Sequence, residues 1–570
     1  MIHLIPTPKK ISVYEGFLRE KAVYTESKIT DDRLKKGIEK IPQSSSGVLL
    51  RIHITGNGDS ERYSLEINDD KVVIKADTAK GAFWGIQTLR QLFEHDSVPN
   101  LVIEDEPDFQ ERGFYHDVSR GKIPTVKTLK QLIDQMAYYK LNSFQLYVEH
   151  TFEFEEYADS LERTGYLSAD ELRELDDYCF ENFIDFVPSL SCFGHLFELL
   201  QKEKYKELNE IEDFESEQIF WYDRMRHHTI DPTNPKSLEL IKSMIDRYMS
   251  CFSSEKFNIC CDETFDLKIG KHWNHDTGRL YVDFVKKLIE YVKSKGKKVM
   301  MWADIILRHR ELIDELPNDV EYLNWWYETE VYEENIELFN KLGKTQIVCP
   351  GTNSWHGFSE LAEKEEINIS KMTELGKKHG ATGVLNTNWG DFGNPCSIEL
   401  AMYGLVFGAE KSWNVATKAD ASFHNNVDFL LYKKIGAYEY LRRLSNVQAQ
   451  ISWMDFIRSY SNLQFPKKME VTLPSEKTVI DAQETCVDLK EILEREEWKC
   501  DEFRREMLCS AEAVLVLTEL FAKIAGYSIE RKSDTSQWLK KYRQIWIEKN
   551  KESELREIER LFEFMEQVEM

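Results

Sequence analysis

Between residues 110 and 415, eight apolar, β-rich runs alternate with helical stretches. The runs lie at 112–117, 143–148, 185–190, 257–261, 298–302, 321–325, 346–349 and 383–387. Helical spacing fills the intervals, for example at 126–139, 169–182, 281–295 and 397–409. Eight strand–helix units in succession predict a closed (β/α)8 barrel, a TIM barrel of the α/β class, over 108–420. A doubly wound open sheet is the rival architecture, and it carries a glycine-rich phosphate loop after its first strand. Here the first strand runs into Ser119-Arg120-Gly121-Lys122-Ile123-Pro124, which is no such loop.

The flanks read differently. Residues 1–107 predict a small N-terminal α+β domain with strands at 51–54, 62–68 and 71–76. The last two form a hairpin around Asn68-Asp69-Asp70. A helix follows over 78–93, with Ala82, Gly85, Ile86, Leu89 and Phe93 at helical spacing. Glu104-Asp105-Glu106-Pro107 marks the boundary. Residues 421–570 predict a C-terminal helical domain, with amphipathic helices at 444–454, 486–517 and 538–564 and loops at Pro466 and Pro474.

Charge narrows the partners. The 570 residues carry a formal net charge of −26, which argues against nucleic acid and anionic membrane, since both reward a basic face. It leaves neutral substrates open. No apolar stretch is long enough to span a bilayer. Met1 to Lys10 lacks the basic and apolar blocks of a secretion signal, so the expected location is the cytoplasm. The ten cysteines, without CxxC spacing, then read as reduced thiols. The acidic surface and helical tail permit a homodimer without requiring one.

A barrel keeps its chemistry at the C-terminal ends of its strands. The fourth run ends in two adjacent acids, Asp262 and Glu263. A strand core cannot easily hold them, because burying an unpaired charge is expensive; at the barrel mouth they face a cleft. The bland alternative is that they cap the next helix or pair with nearby bases. The other ends shift that balance. They supply Asp117 and Arg120, Glu149 and His150, Cys192, Gly194 and His195, Trp302 and Asp304, Trp325, Trp326 and Tyr327, Asn353 and Trp355, and Asn388, Trp389 and Asp391. Taken singly, His195 is more often a structural histidine, Asp117 a barrel brace, and any one Trp a core residue. Together, an acid pair, a histidine, an arginine and several Trp compose a carbohydrate pocket. Metal catalysis is a further alternative, given His150, His195, His227, His228 and His272, but none shows HExxH or another tight ligand spacing.

Four stretches resemble glycoside hydrolase family 20, the β-N-acetylhexosaminidases, over roughly 1–415. The run Asp77-Thr78-Ala79-Lys80-Gly81-Ala82-Phe83-Trp84-Gly85-Ile86-Gln87-Thr88-Leu89-Arg90-Gln91-Leu92 resembles the helix of the family's small N-terminal domain. Arg112-Gly113-Phe114-Tyr115-His116-Asp117-Val118-Ser119-Arg120 resembles its first barrel strand. Phe193-Gly194-His195 is similar to its Pro-Gly-His element, and Cys261-Asp262-Glu263 to its Gly-x-Asp-Glu signature. The helical tail is similar to that of the intracellular bacterial members.

The resemblance implies an exo-acting, retaining hydrolase of terminal β-linked GlcNAc or GalNAc, with no cofactor and no metal. In such enzymes the substrate's own 2-acetamido oxygen attacks the anomeric carbon and forms an oxazolinium ion. By position, Glu263 is the general acid and then base, and Asp262 accepts the acetamido N–H. Arg120 holds hydroxyls, His195 leans on Glu263, and Trp302, Trp325 and Trp389 wall the pocket. Asp391 takes a distal hydroxyl, and Tyr327 is the candidate donor to the acetamido carbonyl. Two departures stand out. Relatives carry a His-x-x-Asp-Asp-like run after the second strand; here Tyr147-Val148-Glu149-His150-Thr151 leaves Glu149 or His150 to back His195. Relatives also place the acetamide Tyr after the seventh strand, where this chain has Thr352-Asn353-Ser354-Trp355. The competing readings are a non-catalytic glycan-binding barrel and a glycosidase with a conventional enzyme nucleophile.

Overall fold

The computed structural model of the chain describes residues 2–25, 29–56, 58–212, 218–226 and 228–568, with only the backbone of 162 and 163. Six strands form the N-terminal sheet: β1 (Lys10–Phe17), β2 (Val23–Tyr24), β3 (Val48–Ile54), β4 (Tyr63–Asn68), β5 (Lys71–Ala76) and β6 (Pro99–Asp105). Their order is β1-β6-β4-β5-β3-β2. The β4–β5 hairpin is present as the turn residues predict. Strands β1, β2 and β6 and the helix Asp32–Glu39 were not legible. Strand β1 is exposed at almost every position, so it lacks the alternation that marks a half-buried strand.

The helix Ala79–Leu92 covers this sheet and is buried along most of its length. Gly85 sets the approach: a Cβ there would lie 2.9 Å from Ile74 Cγ2 on β5. Arg112 on the first barrel strand joins the two units. It is fully buried, donates to Glu61 at 2.5 Å and to the Lys140 carbonyl at 3.0 Å, and lies 4.9 Å from the Trp413 ring.

Eight parallel strands close the barrel: β7 (Glu111–Asp117), β8 (Ser143–Val148), β9 (Asp185–Leu190), β10 (Lys256–Asn258), β11 (Lys298–Trp302), β12 (Glu321–Trp325), β13 (Thr345–Cys349) and β14 (Gly383–Asn388), with β14 pairing back to β7. The fourth strand is the exception to the sequence reading. It ends at Asn258 instead of 261, because Cys260 and Cys261 take left-handed backbone, at φ 55° and 67°, which no ladder accommodates. The helix expected from 281 starts at Thr277, where Asp276 caps it.

The tail is helical, but each of its three expected helices is two. The pairs are Ala437–Gln448 with Trp453–Gln464, Glu476–Arg495 with Asp501–Ala525, and Thr535–Lys549 with Leu555–Gln567. Apolar periodicity runs through each break because both halves face one core. The first break is capped by Ser452, whose hydroxyl accepts the Asp455 N–H at 3.1 Å. No helix of the described residues is long and apolar enough to cross a membrane.

The turn between the last two helices grips the barrel mouth. Lys551 N–H donates to the Ile123 carbonyl at 2.8 Å, and Ser553 donates to the Gly121 carbonyl. Glu554 accepts both Arg224 Nη2 contacts, at 2.8 and 2.9 Å, and Trp221 Nε1 at 3.1 Å. Arg224 in turn donates to the Ser119 carbonyl at 2.9 Å, next to Arg120.

Candidate active site

The acid pair stands on a strained turn. Three of four consecutive residues, Cys260, Cys261 and Glu263, have positive φ without being glycine. Each such residue costs about 1–3 kcal/mol and persists only where its surroundings hold it. Trp302 N–H donates to the Cys260 carbonyl at 3.0 Å, and Tyr281 Oη to the Cys261 carbonyl at 2.9 Å. Asp304 Oδ2 accepts the Glu263 N–H at 3.1 Å. Gly194 closes against the turn from β9, where a Cβ would sit 2.5 Å from the Asp262 carbonyl oxygen. That contact explains the glycine of Phe193-Gly194-His195 and brings His195 alongside.

One imidazole nitrogen gathers both acids. His195 Nε2 lies 3.2 Å from Asp262 Oδ2 and 3.5 Å from Glu263 Oε2. Burial opposes a charge on His195, but the Asp262 carboxylate outweighs it and raises the imidazole to about 9. On the other side, Nδ1 lies 3.3 Å from Arg120 Nη2 and 4.0 Å from Glu149 Oε1. Glu149 therefore stands behind His195, and His150 does not; His150 Nδ1 faces the other Glu149 oxygen at 3.7 Å. Burial works against the Glu149 charge, yet the Arg120 guanidinium holds its carboxyl well below the ordinary range. Of the remaining histidines, His272 pairs with Glu210 at 2.9 Å and His228 packs tilted against the Phe197 ring. His227 lies outside the described residues.

Glu263 and Asp262 differ in surroundings. Burial, followed by the Asp262 charge and against the pull of His195, pushes Glu263 up to about 7. Its side chain is still 23% exposed, so the carboxyl reaches the cavity. Asp262 spends Oδ2 on His195, whereas its buried Oδ1 has no hydrogen-bond partner among the described residues.

Both acids line a cavity of about 250 Å³ at the barrel mouth. Its aromatic side is Trp325, Tyr327, Trp355 and Trp389. Trp325 stacks on Tyr327 at 5.0 Å, and Tyr327 meets Trp355 at 5.2 Å. Trp389 Nε1 donates to Tyr327 Oη at 2.7 Å, and the Thr387 side chain also contacts that hydroxyl. Trp302 departs from expectation. Wholly buried, it packs edge-on against Tyr115 beneath Trp389 and supports the wall without lining the cavity. As the last residue of an inward-facing strand, it fills the barrel interior.

The polar side is Arg120 and Asp391. Arg120 Nη1 donates to Asp391 Oδ1 at 2.8 Å, Nε to Glu149 at 3.2 Å, and Nη2 to Tyr147 Oη at 3.2 Å. His356 Nε2 approaches Asp391 Oδ2 at 3.7 Å. Met225, His356, Glu328 and Lys364 complete the lining, with Lys364 and Glu328 paired at 2.9 Å. The sequence reading did not find them. His356 and Glu328 follow residues that it had placed at strand ends, but Met225 lies deep in the β9–β10 connection, where local pattern gives no signal.

A carboxyl raised to about 7, a second carboxyl with an open oxygen, a charged fork for hydroxyls and aromatic faces for a sugar ring thus share one cavity. A model of the glycosyl hydrolase family 20 catalytic domain matches residues 109–390, and a model of that family's domain 2 matches residues 2–106. A β-hexosaminidase of Emericella nidulans is 24% identical over 324 residues, covering 50% of this chain and 51% of that protein. One from Porphyromonas gingivalis is 24% identical over 283 residues, covering 43% and 36%. The chain thus spans about half or less of the length of these curated relatives. Among solved structures, a Flavobacterium johnsoniae chitobiase aligns over 98% of this chain and 99% of its own, with TM-score 0.62 and 17% identity. A Vibrio harveyi exo β-N-acetylglucosaminidase solved with N-acetylglucosamine aligns over 75% and 76%, with TM-score 0.59 and 17% identity. These two likenesses establish the fold.

Proposed function

The chain belongs to glycosyl hydrolase family 20, and from that membership we propose that it is an exo-acting, retaining β-N-acetylhexosaminidase that releases terminal GlcNAc or GalNAc by substrate-assisted catalysis. The observation that carries this reading is the acid pair itself. Two carboxyls that share one imidazole nitrogen sit side by side in the cavity. A conventional retaining pair flanks the scissile bond from two sides. Adjacent acids suit a reaction in which the nucleophile is the substrate's own acetamide.

In that reaction the acetamido oxygen attacks the anomeric carbon. The glycosidic bond breaks, its electron pair goes to the leaving oxygen, and that oxygen takes the Glu263 proton. Asp262 Oδ1 accepts the acetamido N–H and stabilises the positive charge that develops there. Tyr327 donates to the acetamido carbonyl, orienting it for attack. Glu263, now a carboxylate, takes a proton from water as the water oxygen attacks the anomeric carbon and reopens the ring. Two inversions give net retention. Arg120 and Asp391 bind hydroxyls in charge-assisted contacts, while Trp325, Trp355 and Trp389 enclose the N-acetyl group and the ring. His195, backed by Glu149, holds the acid pair. We read the chain as three units, 1–107, 108–420 and 421–570, acting in the cytoplasm, where its ten unpaired cysteines stay reduced.

The direct test compares an aryl β-N-acetylglucosaminide with the matching β-glucoside, with and without a thiazoline mimic of the oxazoline. The expected result is cleavage of the acetamido sugar alone, blocked by the thiazoline. Cleavage of both sugars with no thiazoline effect would refute the mechanism.

The acidity of Glu263 sets a pH dependence. An acid raised to about 7 is protonated below that pH and ionised above it. As the proton donor ionises, kcat/KM falls about tenfold per pH unit above neutrality. A profile that stays flat to pH 9 would exclude Glu263 as the group that must be protonated.

A further inference from the structure

We propose that Asp304 is the positioning residue of the acid pair: its carboxyl oxygen fixes the left-handed turn that delivers both Asp262 and Glu263 to His195. The inference rests on the catalytic reading of that pair and adds a residue to it. Asp304 follows β11 and opens the short helix Asp304–Arg308, one strand over from the turn it holds. Its Oδ2 accepts the Glu263 N–H at 3.1 Å.

The other anchors of the turn engage neighbouring groups, and on the far side the Phe265 N–H donates to the Glu263 carbonyl at 2.7 Å. Asn258 Oδ1 takes the Cys260 N–H at 2.9 Å, and Trp302 and Tyr281 donate to the Cys260 and Cys261 carbonyls. These contacts hold other groups than the Glu263 N–H, and φ of Glu263 stands at 49°. The Asp304 contact grips the amide around which φ turns. If that amide swings free, the Glu263 side chain leaves its position 3.5 Å from His195 Nε2, and the Asp262 backbone moves with it.

The placement of Asp304 costs the fold something, which argues that it serves a purpose. The residue is put beside two other acids, and its second oxygen, Oδ1, is buried with no hydrogen-bond partner among the described residues. Burial, then Asp262 and Glu263, push its carboxyl far above the ordinary range. The Arg308 charge pulls the other way without prevailing, so the carboxyl faces the acids whose backbone it holds.

Two variants separate the acceptor from the charge. In Asp304→Asn, the amide oxygen can take the same N–H; Asp304→Ala has no acceptor. On an aryl β-N-acetylglucosaminide, Asp304→Ala should lose about 10²-fold in kcat with KM within about threefold, the signature of misplaced chemistry. Asp304→Asn should stay within about fivefold of wild type at neutral pH. Crystal structures of wild type and Asp304→Ala should show the Glu263 carboxyl withdrawn from His195 in the variant. The proposal is overturned if Asp304→Ala keeps wild-type kcat, if Glu263 does not move, or if Asp304→Asn is as impaired as Asp304→Ala. Should wild type fail on the aryl glycoside, the functional reading falls, while the position of Glu263 in the two crystal structures still decides the role of Asp304.

Discussion

Glu263→Gln should lower kcat on poor leaving groups by on the order of 10³-fold and on activated aryl glycosides by about tenfold. The larger loss is about 4 kcal/mol of transition-state stabilisation. The asymmetry follows from the proton. A sugar alkoxide cannot leave without one, whereas an acidic phenol departs nearly unaided. Glutamine keeps the shape of the side chain and its contact with His195, so the comparison isolates the proton. Steady-state rates across aryl leaving groups of graded acidity supply the measurement. Equal loss on all of them would remove Glu263 from the role of acid.

Asp262→Asn should cost on the order of 10²–10³-fold in kcat/KM on every leaving group, and should weaken thiazoline binding in parallel. In the wild type, Oδ1 is buried and open, so it can meet the acetamido N–H as that group becomes positive. Asparagine offers either a neutral oxygen there or an N–H that opposes the substrate's own. Turning the amide to suit the sugar sets its NH2 against His195 Nε2, which lies 3.2 Å from the other oxygen. The loss should not depend on the leaving group, because the acetamide is engaged before and after departure. Rates and inhibitor constants for this variant decide the point; wild-type values would end the substrate-assisted reading.

Much of this architecture could be read from the chain. The barrel strands are buried on both faces, so each carries a short apolar stretch interrupted by buried polar residues such as Gln145 and Asn386. The strand ends then gave the acid pair, Arg120, His195, Tyr327, Trp325, Trp389 and Asp391, all of which the fold brings to one mouth. Periodicity reports burial, and it stops there. It placed Trp302 at the right strand end but could not tell a supporting layer from a wall. It left Glu149 and His150 equivalent, because their difference is which side of β8 faces Arg120 and His195. The grip of Asp304 on Glu263 spans 41 residues, and nothing local marks it. The tail breaks were hidden for the opposite reason: two helices facing one core keep one apolar rhythm.

The turn around Glu554 has a consequence in time. Arg224 and Glu554 form a buried pair 330 residues apart in sequence, and Ser553 reaches Gly121 across 432. Together they brace the segments that carry Met225 and Arg120 into the cavity. On a ribosome adding about 5–20 residues per second, every strand of the barrel is made well before Glu554 emerges. A nascent chain that has not yet exposed Glu554 would already hold Asp262, Glu263 and His195, with one rim of the cavity still unbraced. The unpaired Arg224 would meanwhile wait in a site built to exclude water.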